Sequence, residues 1–198
     1  MLIGAVEVTV DATTVRWTSG MVIDGDGSPR CYSPRGFGAP LDNLRNAGTE
    51  EHWYGILTDI SGDPIIQGPD DPWPGYYIST TALSNHSKPL ADPTRYVDSE
   101  VVPFISIPSQ LTHIGVRMGD VVCVGYRDKT CAAVCADVGP SGEIGEGSIA
   151  LALILGIPAS PRTGGVKHGV NYTIFKGSSR GWPRTQSDIE AQVAELVR

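Results

Sequence analysis

Asp137 and Glu146 stand nine positions apart on either side of a turn that holds Gly139, Pro140, Gly142 and Gly145. That turn can bring two carboxyl groups to one ligand, because its glycines let the backbone approach closely. The pair suits glycoside hydrolysis, in which one carboxylic acid protonates the leaving oxygen while a carboxylate activates water or attacks carbon. Each residue also has a plainer role. An Asp ahead of Gly-Pro makes Asx-type turns, and a Glu in the first turn of a helix favours the macrodipole. Spacing alone does not separate these roles.

The elements that must position the pair are legible. Thr130 to Ala136 is small, apolar and rich in cysteine, as in a buried strand. Ile149, Leu151, Ala152, Leu155 and Ile157 predict a short helix that Gly156 and Pro158 end. Elsewhere Val6 to Val10, Thr13 to Trp17, Tyr54 to Asp59, Ile65 to Gln67, Tyr76 to Thr81, Val101 to Pro108 and Asn171 to Lys176 read as strands. Gly119 to Ala136 reads as a hairpin turning at Arg127 to Thr130, and Gln186 to Val197 as an amphipathic terminal helix. A mainly β domain with two short helices and long loops follows, and closing its strands into a barrel protects their edges.

Composition agrees. The 198 residues include 24 glycines and 15 prolines spread along the length, which favours many short strands in one domain, 1–198. With 40% hydrophobic and 19% charged residues the chain is not of the disordered class. A net charge of −7 argues against nucleic acid or an anionic membrane surface as partner and favours a cationic substrate. No apolar run reaches the roughly 18 residues that span a bilayer. Met1 to Val10 lacks the basic start and apolar core of a signal peptide, so the compartment stays open.

Several chemistries are missing their motifs. There is no G-x-S-x-G elbow, no Walker loop, no G-x-G-x-x-G after a strand and no H-E-x-x-H. His52, His86, His113 and His168 have no ligand spacing and read as solvated loop residues. Asp24-Gly25-Asp26-Gly27 departs from an EF-hand, which needs glycine where Pro29 stands and glutamate where Arg35 stands. No metal and no cofactor is therefore expected, and Asp24 and Asp26 are candidates for a substrate amine or hydroxyl, or for turn capping. Trp53 and Trp73 are candidates for stacking on sugar rings. Cys31, Cys123, Cys131 and Cys135 read as buried thiols, with a bridge from Cys123 to Cys131 or Cys135 as the alternative.

Four segments together resemble one family. They are Ile23-Asp24-Gly25-Asp26-Gly27; Tyr77-Ile78-Ser79-Thr80-Thr81-Ala82-Leu83; Tyr96-Val97-Asp98 with Val102-Pro103-Phe104-Ile105; and Ala136-Asp137-Val138-Gly139-Pro140 followed by Gly145-Glu146-Gly147-Ser148-Ile149-Ala150-Leu151-Ala152. This set is similar to the fungal-type chitosanases of glycoside hydrolase family 75 and their bacterial relatives, over about residues 21–176. The resemblance implies an endo-acting, inverting hydrolase of chitosan or a related amino-sugar polysaccharide, usually secreted, with Asp137 and Glu146 as essential carboxylates; a monomer is expected. It also implies a six-stranded barrel of the double-psi type, in which the acidic residue before the helix is the general acid. By that analogy Glu146 is the acid and Asp137 the base, while Asp24, Asp26 and Asp98 receive ammonium groups. A helix N-terminus lowers a Glu pKa, so at this stage the two roles remain exchangeable. The competing readings are a peptidoglycan-cleaving lytic enzyme and a non-catalytic polysaccharide-binding barrel.

Overall fold

A computed structural model describes residues 1–198. Its strands are β1 (Leu2–Ile3), β2 (Val6–Val10), β3 (Thr14–Asp24), β4 (Gly48–Thr49), β5 (His52–Trp53), β6 (Phe104–Ile107), β7 (Val121–Tyr126), β8 (Lys129–Val138), β9 (Glu146–Ser148) and β10 (Val166–Phe175). The helices are α1 (Ser109–His113), α2 (Ile149–Leu155) and α3 (Gln186–Leu196). In β3, Val15, Trp17, Met21 and Ile23 are buried while Arg16, Thr18 and Val22 between them face outward. That period of two is what one buried sheet face requires.

Neighbour pairing runs β3-β10-β7-β8-β6-β9, and β9 pairs back onto β3, so six strands close a barrel. The β6–β8 and β9–β3 pairings are parallel, which distinguishes the barrel from an up-and-down one. Its interior holds Ile23, Ile105, Ile107, Val122, Val124, Cys135, Val170, Tyr172 and Ile174, with Leu151, Ala152 and Leu155 of α2 in the same cluster. Burying a side chain of this kind contributes about 1.5–3 kcal/mol. Trp17 stacks on Tyr172 with centroids 4.6 Å apart. A second cluster lies outside the wall, where Ile189 and Val193 of α3 cover Phe104, Val121, Val134 and Ala136. A capping box of Thr185 and Asp188 starts α3.

The expectations and the fold differ at identifiable places. Tyr54–Asp59, Ile65–Gln67 and Tyr76–Thr81 run side by side but form only isolated bridges, such as Ile56 with Ser79 and Ile66 with Tyr77. Pro64, bridged to Thr58, withholds a donor at the start of the Ile65–Gln67 segment. Two strands are longer than their sequence patterns indicate: β3 continues unbroken through Asp24, and β10 begins at Val166. Three helices form rather than two, the extra one being α1 after Pro108. His52 sits in β5, His113 in α1 and His168 in β10, so only His86 of the four lies in a loop, although all four are exposed. All four cysteines are free thiols. The hairpin register explains why: Val124 faces Cys131 and Ala132 faces Cys123, which puts Cys123 on the opposite face of the sheet from Cys131 and Cys135. No helix is long and apolar enough to cross a membrane.

Candidate active site

Four neighbouring strands, β8, β6, β9 and β3, bring the acidic residues to one patch of the outer wall. Parallel pairing sets Ser106 level with Asp137, antiparallel pairing sets Ser106 opposite Glu146, and Glu146 in turn lies beside Val22. Asp24 follows Val22 two residues later on the same face. A β-bulge makes this possible. Alternation from Cys131 and Cys135 would turn Asp137 into the barrel, but the register slips by one residue between the Ile105–Cys135 and Ser106–Asp137 pairs. The extra residue, Ala136, re-aims Asp137 outward.

Glu146 occupies β9 and not the first turn of a helix. Ser148 is the N-cap of α2, its side chain accepting the Leu151 N–H, so the helix starts at Ile149. The dipole argument for a lowered Glu146 pKa therefore loses its basis.

Hydrogen bonds divide the carboxyls. Asp137 Oδ1 accepts from the backbone N–H of Ala82 at 3.0 Å and of Val138 at 2.8 Å, which leaves Oδ2 free. Asp24 Oδ1 accepts the Asp26 N–H at 2.7 Å, and Asp24 Oδ2 accepts the Ser106 hydroxyl. The buried Tyr32 hydroxyl donates to Asp26 Oδ1 at 2.6 Å. Glu146 accepts no hydrogen bond from the protein; its Oε2 lies 2.9 Å from where a Cβ on Gly139 would sit.

Carboxylate oxygens of Asp24, Asp26 and Asp137 lie within 4.8 Å of one another. Burial and the neighbouring negative charges push every member up. Asp137 rises to about 8, chiefly by burial and then by the Asp24 charge, against the two N–H bonds that pull it down. Burial, then Asp24 and Asp137, lift Glu146 well above the ordinary glutamate range. Burial, Asp24 and Asp137 do the same to Asp26. Asp24 is raised by burial against the Ser106 and Asp26 bonds. A site of this kind holds protons at neutral pH, as acid–base chemistry requires.

The cluster opens into a cleft of two adjoining lobes. One, of about 300 Å³, is lined by all four carboxyls with Tyr32, Asp42, Arg45 and Asn46. The other, of about 600 Å³, extends past Thr80, Thr81 and Ala82. Tyr54, 65% exposed, borders both. The volumes fit a ligand of at least one sugar ring.

Three candidates lie elsewhere. Asp98 does not line the cleft; its Oδ1 accepts the Glu100 N–H at 2.9 Å and organises the turn that also carries the Arg30–Glu100 ion pair. Trp53 packs beside Cys31, Tyr32, Ala47 and Ile56 and borders a separate cavity with Arg35 and Glu50. Trp73 lies under the Arg30 guanidinium at 5.2 Å and meets Tyr76 edge-on. Tyr54, Arg45, Asn46 and Ser106 were not singled out from the sequence. Ser106 had a signal, as the one polar residue in the apolar run from Phe104 to Ile107. The comparisons add nothing to this geometry: no protein-family model matches the chain, and no curated protein sequence matches it.

Proposed function

We propose that the chain is an endo-acting glycoside hydrolase that cuts β-1,4 bonds between glucosamine units with inversion. The observation that carries this reading is convergence: Asp24, Asp26, Asp137 and Glu146 reach one cleft in which Arg45 is the single cation. Such a surplus of carboxylates favours a polymer that brings ammonium groups.

An inverting pair needs its carboxyls roughly 6.5–9.5 Å apart to admit a water. Asp24, Asp26 and Asp137, within 4.8 Å of one another, are too close, so the pair takes Glu146 as one member. Glu146 lacks any donor to stabilise an anion and is the carboxyl that keeps its proton. It protonates the leaving oxygen. Asp137, anchored through Oδ1, turns Oδ2 to the water and, in the molecules where it is ionised, takes its proton as oxygen attacks the anomeric carbon. Asp24, whose bonds from Ser106 and the Asp26 N–H oppose the effect of burial, holds the charge of the cluster, and with Asp26 it faces the substrate's ammonium groups.

Product anomers followed by proton NMR during chitosan digestion test the reading. New reducing ends appearing first as the α-anomer support it. Retained configuration overturns inversion, and anhydro ends on cell-wall fragments select the lytic enzyme instead. Binding without chain shortening selects the non-catalytic barrel. Loss of activity on chelation, restored by a divalent cation, overturns the metal-free route.

Gly139 supplies a second test. A methyl there would meet Glu146 Oε2 at 2.9 Å, while Gly139 does not occupy the left-handed region that would bar alanine. Gly139→Ala is expected to lower kcat about 10–100-fold by displacing the acid. The melting temperature should move by no more than about 3 °C. Unchanged kcat in a folded variant would remove Gly139 from the site.

A further inference from the structure

Ser106 is the one polar residue of β6 and is 3% exposed. Strand registers set it level with Asp137 and opposite Glu146, yet its hydroxyl bonds to neither. It donates to Asp24 Oδ2 and to nothing else. A buried hydroxyl needs a partner, and one that stands among three carboxyls and engages a single one selects among them.

Donors are shared unevenly over the cluster. Asp24 accepts one on each oxygen, the Asp26 N–H at 2.7 Å and the Ser106 hydroxyl. Asp137 accepts two, both on Oδ1, while Asp26 accepts one from Tyr32 and Glu146 none. Each donor favours the anion. Asp26 on the same turn, Asp137 from β8, Glu146 from β9 and Asp42 from the loop before β4 line the lobe with Asp24, where Arg45 is the one cation. Glu143 adds its charge at Glu146. The Tyr32 hydroxyl and the Cys31 thiol are raised by burial, keep their protons and add no charge. Crowded carboxyls do not all ionise, so the first charge settles where donors are best placed and makes the others hold their protons. The Asp24 charge lifts Asp26, Asp137 and Glu146, while Asp24 itself is lifted by burial and by Asp42.

We infer that Ser106 is a positioning residue whose hydroxyl holds the negative charge of the cluster on Asp24 and so leaves the proton with Glu146. Without that hydroxyl Asp24 and Asp26 have one donor each and Asp137 has two, so the charge passes to Asp137. The placement of charge stands on the hydrogen bonds; its catalytic consequence rests on the hydrolase reading.

Ser106→Ala removes the donor and adds no bulk, whereas Ser106→Thr keeps the hydroxyl and suits a strand. Carbon NMR of the Asp24 and Asp137 carboxyls, followed against pH, reads where the charge sits without any substrate. The parent and Ser106→Thr are expected to ionise Asp24 before Asp137. Ser106→Ala should reverse that order, with the Asp24 midpoint higher by about 1 pH unit. On soluble glucosamine oligomers both limbs of the kcat–pH bell of Ser106→Ala are then expected about 1 pH unit further toward acid. Asp137 ionises without the Asp24 charge beside it, and Glu146 loses one of the charges that hold its proton. Ser106→Thr should keep the parent bell. The inference is overturned if Asp24 is not the first to ionise in the parent, or if Ser106→Ala leaves the order unchanged. A fall in kcat with both limbs unmoved, as a merely structural hydroxyl would give, overturns it too. A reversed order in a protein that cleaves no glucosamine oligomer supports the placement of charge and sinks the hydrolase reading instead.

Discussion

Glu146→Gln is expected to lower kcat on chitosan by about 10³-fold, close to 4 kcal/mol of barrier, while KM stays within about twofold. The amide has the shape of the acid and, with no hydrogen-bond partner lost, nothing in the fold changes. What disappears is the proton for the leaving oxygen. Asp137→Asn is expected to cost 10²–10⁴-fold for a different reason. Both backbone N–H bonds go to Oδ1, so an asparagine oxygen keeps them, and only the free Oδ2 that serves the water is replaced. Azide separates the two roles because it attacks without giving up a proton. It should restore turnover in Asp137→Asn and leave Glu146→Gln inactive. Rescue in the opposite order exchanges the roles, and rates within about threefold of the parent, roughly 0.7 kcal/mol, in both variants would sink the pair.

Why the pair was legible, and its surroundings only partly so, comes down to range. The turn from Val138 to Gly145 is local, and its glycines and proline state its nature. The strand before it and the helix after it follow from period and capping. The orientation of Asp137 is not local: it depends on β8 slipping one residue against β6, thirty positions upstream, and alternation within β8 points the side chain the wrong way. Local pattern places Glu146 in the helix because Ile149 to Leu155 continue from it, whereas pairing to both β3 and β6 holds Glu146–Ser148 extended. Asp24 and Asp26 were found because a Gly-spaced acidic turn is conspicuous, and the structure gives them both a capping bond and a place in the cluster. Trp53 and Trp73 show the opposite failure. A tryptophan advertises contact area without saying with what, and here the contacts are with Ala47 and Ile56 in one case and with Arg30 in the other. The barrel itself was inferred from the number and spacing of strands, and its closure by three residues, Glu146–Ser148, had no sequence signal strong enough to mark a strand.

The same cluster fixes how stability depends on pH. Asp24, Asp26, Asp137 and Glu146 all have folded pKa values above their ordinary ones, with Asp137 at about 8, because burial and mutual repulsion favour the protonated forms. The folded protein therefore holds more protons than the unfolded chain between the ordinary carboxyl range and about pH 8. Its stability is full in acid, below the unfolded values, and is lost as pH rises through the folded ones. Neighbouring carboxyls share protons, so the group counts as one or two protons and not four. One extra proton held across three pH units corresponds to about 4 kcal/mol, or about 8–16 °C in melting temperature for a domain of this size. Calorimetry at constant ionic strength should accordingly show melting falling by about 10 °C from pH 5 to pH 8. Asp137→Asn keeps its backbone bonds, removes one charge, and should melt higher than the parent at pH 8 with a flatter profile. A gain in stability together with a loss of turnover is what a site held charged for chemistry predicts. Melting that rises with pH across this window, or an Asp137→Asn variant that melts lower at pH 8, would show that the carboxyls are stabilising ions and not a strained acid–base cluster.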